Sequence, residues 1–410
     1  MLRRIKQNVI RQQLAIKEGR FYIQLVNNMN HLMKKVCLIL FIFLVEWTYA
    51  QPALDTIPSK ILNENRLVSV SLPASYKRSR EQKYPLLIVL DAEYMFDAFH
   101  GPLSYANYWD DLPEMIIVGI HQNRNKERES DCKIEPSTGL PEEEGANFFE
   151  FLGGELITYL QKQYRVGSFK IVSGVGLTGA FTNFYLYKDQ PIFNAYISFG
   201  QELMPEMETR VPARLAVIPQ NIFYYHSSAD GDLPETQKRL AQMDSLMNPI
   251  KKPNIFYRYD KFKDASHYSQ VLHGVPNALY HIFSVYQPIS ITEYKEKLLI
   301  LNKGYVDYLT NKYQTIETTF GMKFNIRASD FRAVEAAIVS NNAFDELKKL
   351  SELARKHYPK AMLADYLLAV YYERTGDNKK AIKSFNNAFF LTPIGDLTKD
   401  MMMDRANSLK

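Results

Sequence analysis

The chain has 410 residues, enough for two or three domains, and carries 50 Lys and Arg against 45 Asp and Glu. The first 50 residues hold eight of the basic and two of the acidic residues, which leaves 42 basic and 43 acidic residues in the remainder. This near balance excludes a strongly basic folded body, and we expect no nucleic-acid partner.

An export signal is predicted at residues 33–50. A charged start at Met33 is followed by the apolar run VCLILFIFLV, and Ala50 supplies a small residue for cleavage. The apolar core of about ten residues is short for a bilayer span, which disfavours the alternative, a membrane anchor. Residues 1–32 are interpreted as a spurious N-terminal extension. We therefore expect an exported protein in the periplasm or at the cell surface of a Gram-negative bacterium, with no stable membrane span after cleavage.

Two cysteines occur in the sequence, Cys37 and Cys132. Because Cys37 lies within the predicted signal, the mature chain keeps one thiol, which excludes an internal disulfide framework and a cysteine-based metal site. No glycine-rich phosphate loop or metal-ligand cluster stands out in the sequence. We expect no cofactor and no metal.

Short runs that predict strands alternate with segments that predict helices. The predicted strands cover residues 66–72, 84–90, 115–120, 170–173, 195–199, 221–226 and 255–259. Most are continuously apolar, as is typical of strands buried on both faces. The predicted helices cover residues 145–164, 178–188 and 234–247. This alternation predicts an α/β fold with a mostly parallel, doubly wound sheet. Residues 51–64 are predicted to be a polar lead-in and residues 121–144 a loop or insertion.

The chain becomes helical from about Pro288 onward, and a repeat signal follows. Eight residues of one unit fall on tetratricopeptide (TPR) positions: Leu368, Ala369, Tyr372, Gly376, Ala381, Phe385, Ala388 and Pro393. We expect an α/β domain at 51–287, a helical linker at 288–327 and TPR-like repeats at 328–410, docked on the α/β domain. The repeats fit either a platform for a protein partner or a structural extension.

The segment from Lys170 to Ala180, KIVSGVGLTGA, joins a predicted strand to a helix through a glycine-rich turn. This is the pattern of the nucleophile elbow of α/β-hydrolases, G-x-S-x-G, but Gly176 stands where serine is expected. Ser173 is disfavoured as a substitute because it lies inside the strand. Thr178 is disfavoured because it lies in the first helical turn.

The remaining members of a hydrolase triad are expected after later strands, in the order acid and then histidine. His267 follows the last predicted strand by a short loop and is the candidate base. Asp230 is the first choice for the acid and Asp232 the second, although both also suit a simple Asp-Gly turn. The backbone of Leu177, together with that of Ala92 or Glu93, is the candidate oxyanion hole.

Residues 66–283 resemble the esterase family of α/β-hydrolases that includes esterase D and enterochelin-esterase-like proteins. The matching segments are YPLLIVLDAEYMF, PEMIIVGI, FFEFLGGELITYLQKQYRV, the elbow, PIFNAYISF and ASHYSQVLHGVPNALYHIF. The resemblance implies the α/β-hydrolase fold and carboxylic-ester hydrolysis. It also accommodates an exported chain with TPR-like helices behind the hydrolase domain. The family elbow is usually G-H-S-x-G-G, and this chain departs from it at Val175, Gly176 and Thr178.

Three hypotheses follow. The first is a hydrolase-fold protein that has lost or strongly impaired ester hydrolysis and binds a small ester-like ligand in the old cleft or a protein partner. The second is an active carboxylic-ester hydrolase that uses an unrecognised nucleophile. The third is an interaction scaffold that binds a protein partner through the TPR-like helices.

Overall fold

Eight strands form a single sheet in the part of the chain that a computed structural model describes, residues 53–78 and 80–410. The predicted N-terminal extension and export signal lie outside these residues. The strands are β1 (Ala53–Ser59), β2 (Glu64–Ser71), β3 (Tyr84–Val89), β4 (Ile116–Ile120), β5 (Val166–Val175), β6 (Ala195–Phe199), β7 (Ile222–Gly231) and β8 (Ile255–Ser266). Their order across the sheet is β1-β2-β4-β3-β5-β6-β7-β8.

The sheet is mostly parallel, which confirms the predicted fold class. Strand β2 runs antiparallel to β4, whereas β4, β3, β5, β6, β7 and β8 pair in parallel with their neighbours. The carboxyl ends of the parallel strands therefore meet at one edge of the sheet. Loops that are far apart in the sequence converge at this edge, as is usual for ligand sites in open α/β sheets.

Helices cover both faces of the sheet. Those of the α/β region are α1 (Ala92–Tyr108), α2 (Glu127–Asp131), α3 (Glu143–Glu150), α4 (Ile157–Gln163), α5 (Gly176–Phe181), α6 (Met207–Leu215), α7 (Pro234–Met247) and α8 (Ser269–Ile282). A π-helical stretch (Phe151–Leu156) joins α3 to α4, and a 3₁₀ stretch (Thr182–Tyr187) follows α5.

The prediction of a polar lead-in at residues 51–64 is wrong for Ala53–Ser59, which forms the edge strand β1. Of its described side chains, those of Ile57 and Ser59 are buried and the others are exposed. The strand therefore lacks the continuous apolar run of a strand that is covered on both faces.

Alternating strand residues build two apolar layers, one on each face. Leu87 and Val89 of β3 enter one layer with side chains of α1 and α8. Leu86 and Ile88 point to the other face, where they join side chains of α3, α6 and α7. Continuous apolar runs in the central strands thus reflect burial on both faces.

The C-terminal region is all-helical and extends the first of these layers. Its elements are α9 (Ile291–Glu293), a π-helical stretch (Tyr294–Leu298), α10 (Tyr305–Phe320), α11 (Ala328–Ser340), α12 (Asp345–His357), α13 (Leu363–Arg374), α14 (Asn378–Phe389) and α15 (Lys399–Ser408). Residues 54–410 form one compact unit. The assignment of a linker at 288–327 and of TPR-like repeats at 328–410 stays a prediction.

Aromatic packing attaches the helical region to the sheet. The ring centroid of Phe320 in α10 lies 4.9 Å from that of Phe169, 5.8 Å from Phe223 and 5.3 Å from Phe283. The guanidinium of Arg327 lies 3.7 Å from the ring centroid of Tyr286 and donates to its carbonyl oxygen at 2.6 Å. Both residues that reach across, Phe320 and Arg327, are buried.

Within residues 53–78 and 80–410 no helix is long and apolar enough to span a membrane. The same part of the chain holds no group of three or more His, Cys, Asp or Glu side chains that could bind a metal ion. Cys132 is a buried free thiol, and its burial raises its pKa well above the ordinary value.

Candidate active site

Strand β5 ends in a tight turn at Gly176, from which α5 begins. The φ angle of Gly176 is +56°, in the left-handed region that costs a residue with a Cβ atom of order 1–3 kcal/mol. Glycine adopts this angle without that penalty. The strand, turn and helix predicted for an elbow are therefore present, and the residue at its tip has no side chain that could attack a carbonyl.

His267 and Asp232 form a hydrogen-bonded pair at the same sheet edge. Nδ1 of His267 lies 2.6 Å from Oδ1 of Asp232, whose side chain is completely buried. Asp232 is fixed in turn, because it accepts a hydrogen bond from the backbone N–H of Ala229 at 2.7 Å and from Nε2 of Gln270 at 2.9 Å. The hydrogen bond to Asp232 raises the pKa of His267, against the opposing effect of burial. This arrangement orients an imidazole towards the cleft, as the acid of a catalytic triad does.

The sequence favours Asp230 over Asp232 as the partner of His267, and the structure reverses this order. Strand β7 continues to Gly231, five residues beyond its predicted end, and its pairing with β8 shifts between Ala229 and Gly231. Asp230 is consequently exposed, and its carboxylate accepts from the backbone N–H of Asp264 at 3.1 Å. The turn that closes after the strand directs Asp232 back under the imidazole.

The loop after β6 comes so close to the His267–Asp232 pair that residue 200 must be a glycine. Gly200 has a φ of +48°, and a Cβ atom there would lie 2.8 Å from Oδ1 of Asp232 and 3.0 Å from Nδ1 of His267. Any side chain at this position would therefore displace the His267–Asp232 pair.

A second buried network lies behind the elbow and is centred on Asp91, which follows β3. Its carboxylate is fully buried and accepts from Nε of Arg128 at 2.9 Å, from Nδ2 of Asn123 at 3.1 Å and from Oγ1 of Thr178 at 2.6 Å. Arg128 also donates from Nη2 to the carbonyl oxygen of Val175 at 2.9 Å. The network ties α2 to the elbow.

The sequence prediction missed Arg128, which lies in the segment assigned to a loop or insertion. In the run NRNKERES it is one basic residue among several, and no spacing distinguishes it from Arg124 or Lys126. Its role in the site comes from α2, which places its guanidinium at the end of β5.

Glu202 was also missed, and it occupies the space in front of the elbow. Its Oε1 lies 3.0 Å from the position that a Cβ atom on Gly176 would take, and Nη2 of Arg128 lies 3.3 Å from the same point. The backbone N–H of Glu202 donates to the carbonyl oxygen of Gly176 at 3.0 Å, which holds the two loops together. The carboxylate itself is exposed, and it makes no hydrogen bond or ion pair with the described residues.

The candidate oxyanion-hole residues both lie in the first turn of a helix, Ala92 in α1 and Leu177 in α5. Backbone N–H groups at helix starts have no intrahelical acceptor, so they suit an oxyanion. The side chain of Glu93, the alternative to Ala92, accepts from the backbone N–H groups of Gln122 and Asn123. The role of Ala92 and Leu177 as donors stays a prediction.

Neither hydroxyl near the elbow is exposed in the cleft. Ser173 is buried inside β5. Thr178 is also buried, and its hydroxyl donates to Asp91. Both side chains are absent from the lining of the cleft.

A cleft of about 550 Å³ opens in front of these groups, within the usual size range of small-molecule sites. Its lining includes ionisable side chains, those of Arg128, Glu129, Glu202 and His267. It also includes the apolar side chains of Met95, Ala98, Val271 and Leu272 and the rings of Tyr94 and Tyr268. The cleft therefore offers both apolar and charged groups to a ligand.

Known proteins share parts of this sequence and this fold. The family model described as "Putative esterase" matches residues 59–199. The chain is similar to the crystal structure of an uncharacterised protein from Capnocytophaga ochracea, with 30% identity over 88% of this chain and 99% of that one and a TM-score of 0.73. An IroE-like serine hydrolase from Shewanella oneidensis shares the fold at 17% identity, covering 75% of this chain and 99% of its own, with a TM-score of 0.58. No curated protein matches the sequence.

Proposed function

Because this chain belongs to the esterase family of α/β-hydrolases, we propose that it is an exported family member that binds an ester-like ligand in its cleft without hydrolysing it. The observation that carries the proposal is Gly176 at the elbow. Loss of the serine from a catalytic triad typically lowers turnover about a million-fold. The same residue removes the nucleophile and relaxes the backbone at that point.

The surrounding site supports binding. The His267–Asp232 pair is in place, and the elbow keeps its turn. The cleft combines apolar walls with hydrogen-bonding groups, which is the composition that orients small ligands. A ligand with an acyl or aromatic part would bury that part against Met95 and Val271 and place its polar part near His267.

The proposal is tested on the wild-type chain from residue 51 onward, which contains the compact unit. A chromogenic acetyl ester reports turnover, and a fluorophosphonate probe reports an activated serine. We expect neither turnover above the buffer rate nor covalent labelling, with an active serine esterase as the positive control. Turnover together with labelling of the wild-type protein would overturn the proposal.

A second candidate, hydrolysis with another nucleophile, is favoured by one observation, the position of the Glu202 carboxylate 3.0 Å from the absent Cβ atom. Carboxylates serve as nucleophiles in some hydrolases. This candidate requires ester turnover by the wild type that Glu202→Gln abolishes. Equal, background-level rates for both proteins would exclude it and leave the binding function.

A further inference from the structure

Four ionisable side chains line the cleft, and both of its basic groups already have a buried partner. Arg128 is paired with Asp91 at 2.9 Å and His267 with Asp232 at 2.6 Å. Both of these carboxylates are fully buried, so each offsets a positive charge on its partner from behind. Neither basic group therefore adds net positive charge to the cleft.

The two anions of the cleft have no such partner. Glu202 and Glu129 both line the cleft and are both exposed. Neither carboxylate makes a hydrogen bond or ion pair with any residue that the structure describes, and Glu202 has a charge interaction with His267, whose pKa it helps to raise. The uncompensated charge of the cleft is therefore negative.

Aromatic and apolar side chains line the same cleft as these carboxylates. Tyr94 is 52% exposed and Tyr268 is 81% exposed, so both rings are available to a ligand in the cleft. Tyrosine rings attract a cation through their electron-rich faces. Leu272, 67% exposed, adds apolar surface to the lining of the cleft.

We propose that the cleft selects ligands in which an ammonium group adjoins an alkyl or aromatic part, with Glu202 as the charged contact. This inference rests on the proposed binding function. Because Glu202 Oε1 lies 3.0 Å from where a Cβ atom on Gly176 would be, the carboxylate borders the space that a side chain at the elbow would take.

The test compares three probes that differ in one terminal group: phenylbutylamine, phenylbutanol and phenylbutyrate. Calorimetric titration of the chain from residue 51 onward gives the dissociation constant for each probe at neutral pH. We expect the amine to bind roughly 3- to 10-fold more tightly than the alcohol, as a partly exposed charge pair allows, and the carboxylate to bind most weakly. Glu202→Gln abolishes the preference for the amine over the alcohol. The control is Glu352→Gln, which removes an exposed carboxylate of α12 that does not line the cleft and leaves the preference unchanged.

Other outcomes would contradict the ligand class, the role of Glu202 or the binding function itself. If the alcohol or the carboxylate binds as tightly as the amine, the cationic ligand class is wrong, while the proposed binding function stands. If Glu202→Gln keeps the full preference, its carboxylate is not the charged contact. If none of the three probes binds at millimolar concentration, both this inference and the proposed binding function fail. Thermal unfolding of both variants checks the fold, and we expect unchanged midpoints because both glutamates are exposed.

Discussion

Nδ1 of His267 lies 2.6 Å from the fully buried carboxylate of Asp232, at the edge where β7 and β8 end. The two residues therefore have the relative orientation of the base and the acid in a hydrolase triad. The elbow that should present a serine to it presents Gly176 instead. The site thus departs from a complete triad at its nucleophile.

Replacing Asp232 with asparagine tests the assignment of the acid. The change weakens the hydrogen bond that raises the pKa of His267 and removes the negative charge that adds to this effect, so we expect this pKa to fall in Asp232→Asn. A titration of the imidazole signals by NMR measures it. Asp230→Asn is the matched control, because its carboxylate contacts Asp264 and not His267. A fall in the pKa of His267 in the control alone would reverse the assignment.

The pH dependence of stability should carry opposite contributions from two histidines. The pKa of His267 is raised above its ordinary 6.5 in the folded state, so its stabilising contribution is present below about pH 6.5 and is lost as pH rises through the folded pKa. The pKa of His226 is lowered to about 3 by full burial, so stability is lost as pH falls from about 6.5 towards 3.

Urea unfolding at a series of pH values separates these two contributions. We expect His226→Gln to flatten the loss of stability on the acid side relative to wild type, and His267→Gln to flatten the loss above neutral pH. Each variant serves as the control for the other. A flattened acid side in His267→Gln, with no change in His226→Gln, would contradict the signs derived from burial and from Asp232.

The network behind the elbow should contribute substantially to stability. Arg128→Met leaves the fully buried Asp91 carboxylate with Asn123, Thr178 and the hydroxyl of Tyr94 as donors. Since Arg128 is itself 21% exposed, we expect a loss of about 2–3 kcal/mol in the free energy of unfolding, below the 3–5 kcal/mol typical of a fully buried pair. The control is Lys238→Met, which breaks an exposed surface pair with Glu235 and should cost less than about 0.5 kcal/mol. Equal losses in the two variants would show that the Asp91 network contributes no more than a surface ion pair.

Phe320 should couple the helical region to the sheet. Phe320→Ala removes a ring that packs between Phe169, Phe223 and Phe283, and we expect a loss of about 3–5 kcal/mol. Calorimetry should show one unfolding transition for the wild type. Phe390→Ala is the control, because this ring is 81% exposed and its removal should change stability by less than about 0.5 kcal/mol. Two separate wild-type transitions would show that the helical region folds independently of the sheet.

The order of strands and helices was predictable because burial on both faces leaves continuous apolar runs, as in β3. His267 was predictable from its place in the chain, since the base of a hydrolase triad is expected just after the last strand. The choice between Asp230 and Asp232 was not, because a pairing shift at Ala229 decides which carboxylate turns inward. Arg128 in α2 and Glu202 in the loop after β6 are far apart in the sequence and meet only at the sheet edge, so no local pattern marks them.

Labelling of Gly176→Ser by a fluorophosphonate tests most directly the central claim that the nucleophile alone is missing from a retained site. A Cβ atom at this position meets Oε1 of Glu202 at 3.0 Å, the end of a flexible side chain that can rotate away. We predict that Gly176→Ser becomes labelled, that adding His267→Ala strongly slows this labelling, and that wild type and Gly176→Ala stay unlabelled. Gly176→Ala shares the backbone strain, so its melting temperature separates misfolding from lost chemistry. A folded Gly176→Ser protein that remains unlabelled, or a labelled wild type, would contradict the account.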